Sequence, residues 1–351
     1  METIPLLKRL SEATGLSGHE EPVRQVIRGL WAPLADELKE GGLGNLIGLQ
    51  RGSGAAPRPV LMLTAHMDEI GLRVTGLEKG FLRITRIAGV DPRILPGAEV
   101  VVHGRRDLPG VVGTRPPHVT PPDQRDRPIP WDELFVDVGL PEDEVRQLVR
   151  VGDPVSFRRE LVKLKGGLVS GKALDDRAGV AALTLALESL RGVVHAWDVV
   201  AVATVQEEQG LHGAVTAAYG VAPDIAVVLD VTFGRQAGVA EDGAFPLGEG
   251  PTIAVGPNFA PQVVERLKAA AEANEIPYHI EPLPGHSGTE AWAIQVSRAG
   301  VPTGLVEIPL RYMHQPVETV AVRDVERAGR LLTAFAAGLE ADYRLGWEGE
   351  A

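Results

Sequence analysis

A chain of 351 residues with 44% hydrophobic and 23% charged residues has the composition of a folded globular protein, long enough for one large domain or two. Its 35 Lys and Arg against 47 Asp and Glu leave a formal charge of -12, which repels phosphate backbones and anionic lipid and excludes nucleic acid as an expected partner. Apolar runs such as Val199–Val205 fall far short of the ~20 residues that cross a bilayer, and Met1–Leu10 lacks the apolar stretch of a signal peptide, so a cytoplasmic chain with no membrane partner is expected.

Apolar spacing predicts a helix over Ile4–Ala13, a break at Gly15–Gly18 and a second helix over Glu20–Leu34. Pro59–Ala65 is a continuous apolar run of strand length, as expected for a parallel strand covered on both faces. From Leu72 to Lys165 the pattern changes to short alternating runs cut by Gly and Pro, including a polar, Pro-rich loop at Arg115–Pro130. This reads as a separate β-rich unit. After Asp175, helix and strand alternate: a helix over Arg177–Leu190, a strand over Asp198–Val205, a helix after Gly210 and a strand over Ile225–Leu229. A Gly-rich loop at Gly243–Gly256, a helix over Pro261–Ala273, a strand over Thr303–Ile308 and a terminal helix over Arg323–Leu339 follow. The expected fold is α/β, with a mostly parallel sheet, helices on both faces and an inserted β-rich domain. Residues 1–71 and 166–351 would form the main domain and 72–165 the insertion.

The polar residues that interrupt this pattern sit where chemistry is expected. His66 and Asp68, in AHMDEIG, follow the apolar strand at its carboxyl end, where open α/β sheets bind ligands. An H-x-D pair alone is commoner on a solvated loop, but here Asp68 is a candidate to hold the second N–H of a ligating imidazole. Asp175 and Asp176, in GKALDDRAG, precede a helix, where acids serve as caps; capping accounts for one Asp better than for two. Glu207 and Glu208 lie side by side after a buried strand and repel each other unless a cation is present. One could ligate a metal while the other accepts a proton. Asp230 closes IAVVLD, and His314 follows IPLRYM; alone, the first would be a turn residue and the second structural. Yet His66, Asp175, Glu208, Asp230 and His314 all fall at element ends on one expected sheet edge. With no cysteine in the chain, such His and carboxylate donors suit zinc, cobalt or manganese.

In combination, AHMDEIG, ALDDRAG, ATVQEEQGLHGA, the strand ending in Asp230 and PLRYMH resemble the tetrahedral (TET) aminopeptidases, the glutamyl or deblocking aminopeptidase-like dinuclear metallopeptidases, over nearly the whole chain. The resemblance implies a phosphorylase/hydrolase-like zinc peptidase core interrupted by a β-rich dimerisation domain, and dimers that close into a tetrahedral dodecamer. It also implies two divalent ions per chain, zinc or cobalt with manganese as a further option. His66 and Asp230 would hold one ion, Glu208 and His314 the other, and Asp175 would bridge them. Glu207 would be the general base, Asp68 would orient His66, and a cis peptide bond would follow Asp175. Peptides would be the substrates, trimmed at a free N-terminus, neutral aminoacyl compounds among them. Where many relatives read GTDA this chain reads GTEA, with Glu290 in a region expected near the substrate-binding wall. A carboxypeptidase or N-deacylase would use the same ligands; a glycosidase would need only two carboxylates; a scaffold or binding protein should lack a ligand or the base.

Overall fold

The computed structural model describes residues 1–121, 127 and 129–343; the middle of the Pro-rich loop expected at Arg115–Pro130 lies outside the described residues. An eleven-stranded sheet forms the spine. At its centre the strands Asp198–Thr204, Val60–His66, Ile225–Phe233 and Thr303–Arg311 run parallel. Their residues are almost all buried, as the apolar runs require when both faces are covered.

The sheet is mixed rather than mostly parallel. Antiparallel strands extend both sides: Leu46–Gln50 and Glu37–Glu40 beyond Asp198–Thr204, and Glu318–Ala321, Leu168–Gly171 and Val162–Lys163 beyond Thr303–Arg311. Thr252–Val255, inside the expected Gly-rich loop, is also a strand. It pairs antiparallel with Thr303–Arg311 and parallel with His279–Pro282. These flanking strands have two to five residues, too short to show a clear period of two.

The helix Leu174–Leu190 packs against Val322–Ala337, Thr3–Glu12 and Glu21–Trp31, while His212–Val221 packs against Glu290–Ile294. Between Gly71 and Phe157 a closed six-stranded barrel is formed by Gly71–Glu78, Phe81–Ile87, Phe135–Asp137, Asp107–Gly113, Glu99–His103 and Pro154–Phe157. Its interior has its own apolar cluster, with Leu72, Val74, Val100, Val102, Val136 and Val155 buried. That alternation is the period of two expected of strands with one face inward. No described helix is long and apolar enough to cross a membrane.

Candidate metal centre

The parallel registers bring the polar positions to one level. Thr204 lies beside His66 and Val228 beside Thr64, so Asp230, two residues on, reaches the height of His66. Asp230 does not close its strand, which continues to Phe233. Asp175 and Asp176 precede the regular part of their helix, with non-helical backbone angles, and the peptide bond between them is cis. The loops after the strands carry Glu207, Glu208 and His314. Residues with positive φ flank the site: Ala173, Gln206, Leu211, Tyr312 and His314 itself. Non-glycine residues in this region cost about 1–3 kcal/mol each and cluster at functional sites.

Two groups of donor atoms result, His66 with Asp175 and Asp230, and Asp175 with Glu208 and His314. His66 Nε2 is 3.0 Å from Asp175 Oδ1 and 4.0 Å from Glu207 Oε2, while its Nδ1 faces Asp68 Oδ1 at 3.4 Å. His314 Nε2 lies 3.3 Å from Asp175 Oδ2 and 3.4 Å from Glu208 Oε1. Asp175 is therefore common to both groups, and Glu207 belongs to neither.

The charges are crowded. Burial, reinforced by Asp230, Glu208 and Asp175 and opposed by His66, pushes Glu207 up to about 10. Burial also lifts Asp230 to about 8, with Asp175 adding to it, and raises Glu208 and Asp176 above the usual carboxylate range. Burial works against a charged His314, but Asp175 and Glu208 raise it to about 11. Asp175 is held far below the usual carboxylate range, since His314 and His66 outweigh its burial. Carboxylates packed this closely need a compensating positive charge.

Asp68 was named from the sequence, but its partners and several other supporting residues escaped that reading. Asp68, fully buried, accepts hydrogen bonds from Ser17 Oγ (2.6 Å) and from the backbone N–H groups of Glu207 (2.9 Å) and Glu208 (3.3 Å). It thus lies between His66 Nδ1 and the loop that carries the adjacent glutamates. Glu318 accepts from the backbone N–H of Asp175 (3.1 Å) and of His314 (2.9 Å), joining two elements that share the second donor group. Behind the site, Glu69 is bound by Lys172 Nζ at 2.7 Å and by the Gly15 N–H at 2.8 Å. The buried Arg177 donates to the Leu10 carbonyl at 2.7 Å. Only a signal linking distant segments could have revealed these contacts; spacing along the chain does not.

The cluster opens into a cleft of about 1020 Å³. Glu290 is not on its wall. It is fully buried, beside the hydroxyls of Thr64 and Thr204, at the start of the short helix Glu290–Ile294 that Thr289 caps. Thr289 and Trp292 line the cleft instead.

The sequence model of the M42 glutamyl aminopeptidase family matches residues 44–331. A lysyl aminopeptidase of Pyrococcus furiosus is 36% identical over 94% of this chain and 95% of its own. An aminopeptidase structure from Desulfurococcus kamchatkensis superposes with a TM-score of 0.89 at 38% identity, covering 97% of this chain and 96% of that one. A TET1 peptidase from Pyrococcus horikoshii, which can assemble into a tetrahedron or a large octahedral shell, gives 0.84 at 33% identity, over 96% of this chain and 100% of its own. The chain belongs to the M42 glutamyl aminopeptidase family and is a peptide hydrolase of the aminopeptidase class.

Proposed function

We propose that this aminopeptidase works with two divalent ions, zinc or cobalt with manganese as an alternative. His66 and Asp230 would hold one, Glu208 and His314 the other, and Asp175 would serve both. The observation that carries this reading is the pair of donor groups sharing Asp175. The donor set fits the ions: imidazoles and carboxylates without thiolate suit these metals. Among the described residues, the ion pairs of these carboxylates are with His66 and His314 rather than with Lys or Arg. Bound there, the ions would lower the pKa of water and polarise the scissile carbonyl. Glu207, outside both donor groups, accepts the proton of the attacking water and passes it to the leaving amine. A base must be ionised to do so, and added positive charge counters the burial that raises this group. Asp68 fixes the His66 ring and the loop bearing the base.

A free α-amine next to the scissile carbonyl falls among Glu207, Glu208 and Asp230, where an ammonium pairs with a carboxylate. An N-acetyl group removes that interaction and adds bulk. Mass spectrometry of a digested peptide is the test. Sequential loss of single N-terminal residues, blocked by N-acetylation, is expected; internal cuts, C-terminal trimming or release of an acyl group would replace this reading with an endopeptidase, carboxypeptidase or deacylase.

The segment 72–165 is, in this proposal, a domain of its own that carries contacts between copies, giving dimers and from them a tetrahedral dodecamer in the cytoplasm. Support comes from its separate barrel and core and from the shells formed by the Pyrococcus horikoshii relative. Light scattering that finds a fully active monomer at micromolar concentration would refute the assembly.

A further inference from the structure

We infer that the cleft wall beside the metal-ligand cluster receives a cationic side chain, so that the enzyme removes N-terminal lysine or arginine in preference to neutral or acidic residues. This rests on the aminopeptidase reading above and adds its substrate class.

The ground is a second carboxyl pair, Glu281 and Glu307, both lining the cleft and exposed by only 9% and 4%. Glu281 is fixed in place, its Oε1 accepting from Thr232 Oγ1 at 2.7 Å and its Oε2 from Thr252 Oγ1 at 2.8 Å. Glu307 Oε2 is buried without a hydrogen-bond partner among the described residues, while burial and the neighbouring Glu281 carboxyl hold Glu307 well above the usual carboxylate range; no described Lys or Arg forms an ion pair with either acid. The carboxylates of Asp175, Glu208 and Asp230 are accounted for by the metal centre; this pair is not. Adjoining buried carboxyls are unfavourable unless a proton or a cation lies against them.

Position selects which cation. Glu307 is the register partner of Asp230 on the neighbouring strand, so it stands at the edge of the metal cluster. Thr232, which holds Glu281, is two residues beyond Asp230 on the same face, roughly 6.6 Å along the strand. The α-amine of a substrate is bonded to the carbon next to the scissile carbonyl and must stay beside the metal centre. A flexible four-carbon stem with an ammonium at its end, or the longer guanidinium of arginine, spans the extra distance. A glutamate side chain would instead meet Glu281 and Glu307 as like charges.

The experiment compares kcat/KM for lysyl-, arginyl-, leucyl- and glutamyl-p-nitroanilides in the metal-loaded enzyme and in Glu307→Gln. Lysyl and arginyl substrates are expected to lead, and Glu307→Gln should lower the lysyl-to-leucyl ratio by about tenfold or more, the scale of one charge-assisted contact. A purely structural role would lower both substrates alike and leave the ratio unmoved, which overturns the inference. So would a wild-type preference for leucyl or glutamyl substrates, with the aminopeptidase reading intact. If no aminoacyl substrate turns over, that reading fails, and calorimetry with free lysine against norleucine, its isostere lacking the ammonium, still decides. Lysine binding at least tenfold tighter in the wild type, with that advantage lost in Glu307→Gln, supports the pocket; equal binding overturns it.

Discussion

Gly89 ties the barrel segment to the metal centre, and adding one methyl group there tests the tie. It follows the strand Phe81–Ile87, and a Cβ on it would stand 2.4 Å from Nδ1 and 2.8 Å from Cε1 of His314. Ordinary contact begins at 3.4 Å, so in Gly89→Ala the ring has to retreat by on the order of 1 Å, a misplacement that costs up to about 10²-fold in rate. Retreat separates Nε2 from Asp175 and Glu208, now 3.3 and 3.4 Å away. Because the φ of Gly89 is outside the left-handed region, alanine suits the backbone and the effect is confined to the contact. Loss of support around a metal ligand typically costs 10–100-fold in affinity or activity. Gly89→Ala should therefore lower kcat/KM by roughly 10–100-fold and weaken binding of one of two ions in a calorimetric titration. Gly113→Ala, in the same barrel with open space around its Cβ, is the control and should stay near wild type. A Gly89→Ala enzyme with two tight sites and normal turnover would refute the argument that the barrel segment seats His314.

Glu207→Gln should reduce turnover by about 10²–10⁴-fold while elemental analysis still finds both ions; loss of metal would make Glu207 a ligand instead. Glu318→Ala leaves the N–H groups of Asp175 and His314 without their acceptor, at about 1–3 kcal/mol for each buried donor, so calorimetry should show a lower Tm and weaker metal binding. Glu318→Gln, which keeps one carbonyl oxygen, should recover part of both, and an unchanged Tm in the alanine variant would rule out the bracing role. Glu207, Asp230 and His314 all have pKa values raised above their ordinary ones, to about 10, 8 and 11, so the metal-free fold holds more protons than the unfolded chain across neutral pH. Stability of the metal-free protein must then fall as pH rises. The Tm difference between metal-loaded and chelated protein should widen from pH 6 to pH 9, and parallel curves would contradict the shifts.

The central strands and the positions that gather in the donor cluster were legible because burial on both faces writes an apolar run, and a charged residue at its end breaks the pattern visibly. His66 after Val60–Ala65 and Glu207 after Val199–Val205 are of this kind. Asp230 was found for the same reason, although Val231–Phe233 continue its strand. Glu318 and Gly89 carry no such signal, since their importance lies in contacts with residues brought near only by the fold. Glu281 and Glu307 carry no signal of their own either, because only the fold, through the strand Thr252–Val255 that pairs with both of theirs, brings them to one cleft wall. The short flanking strands, which make the sheet mixed, contain too few residues to distinguish a period of two from chance.

The barrel also closes a loop on behalf of the rest of the protein. Glu69 and Lys172, whose ion pair lies beneath the metal cluster, are 103 residues apart in the chain. Leu72 pairs with Val155 where the barrel shuts, so once it has formed, the connection still to be ordered between Glu69 and Lys172 shrinks to roughly 20 residues. Loop-closure entropy grows as (3/2)RT ln n, and that shortening is worth about 1.5 kcal/mol. A barrel that folds first would therefore act as a covalent-free staple, handing the sheet two chain segments already at close range.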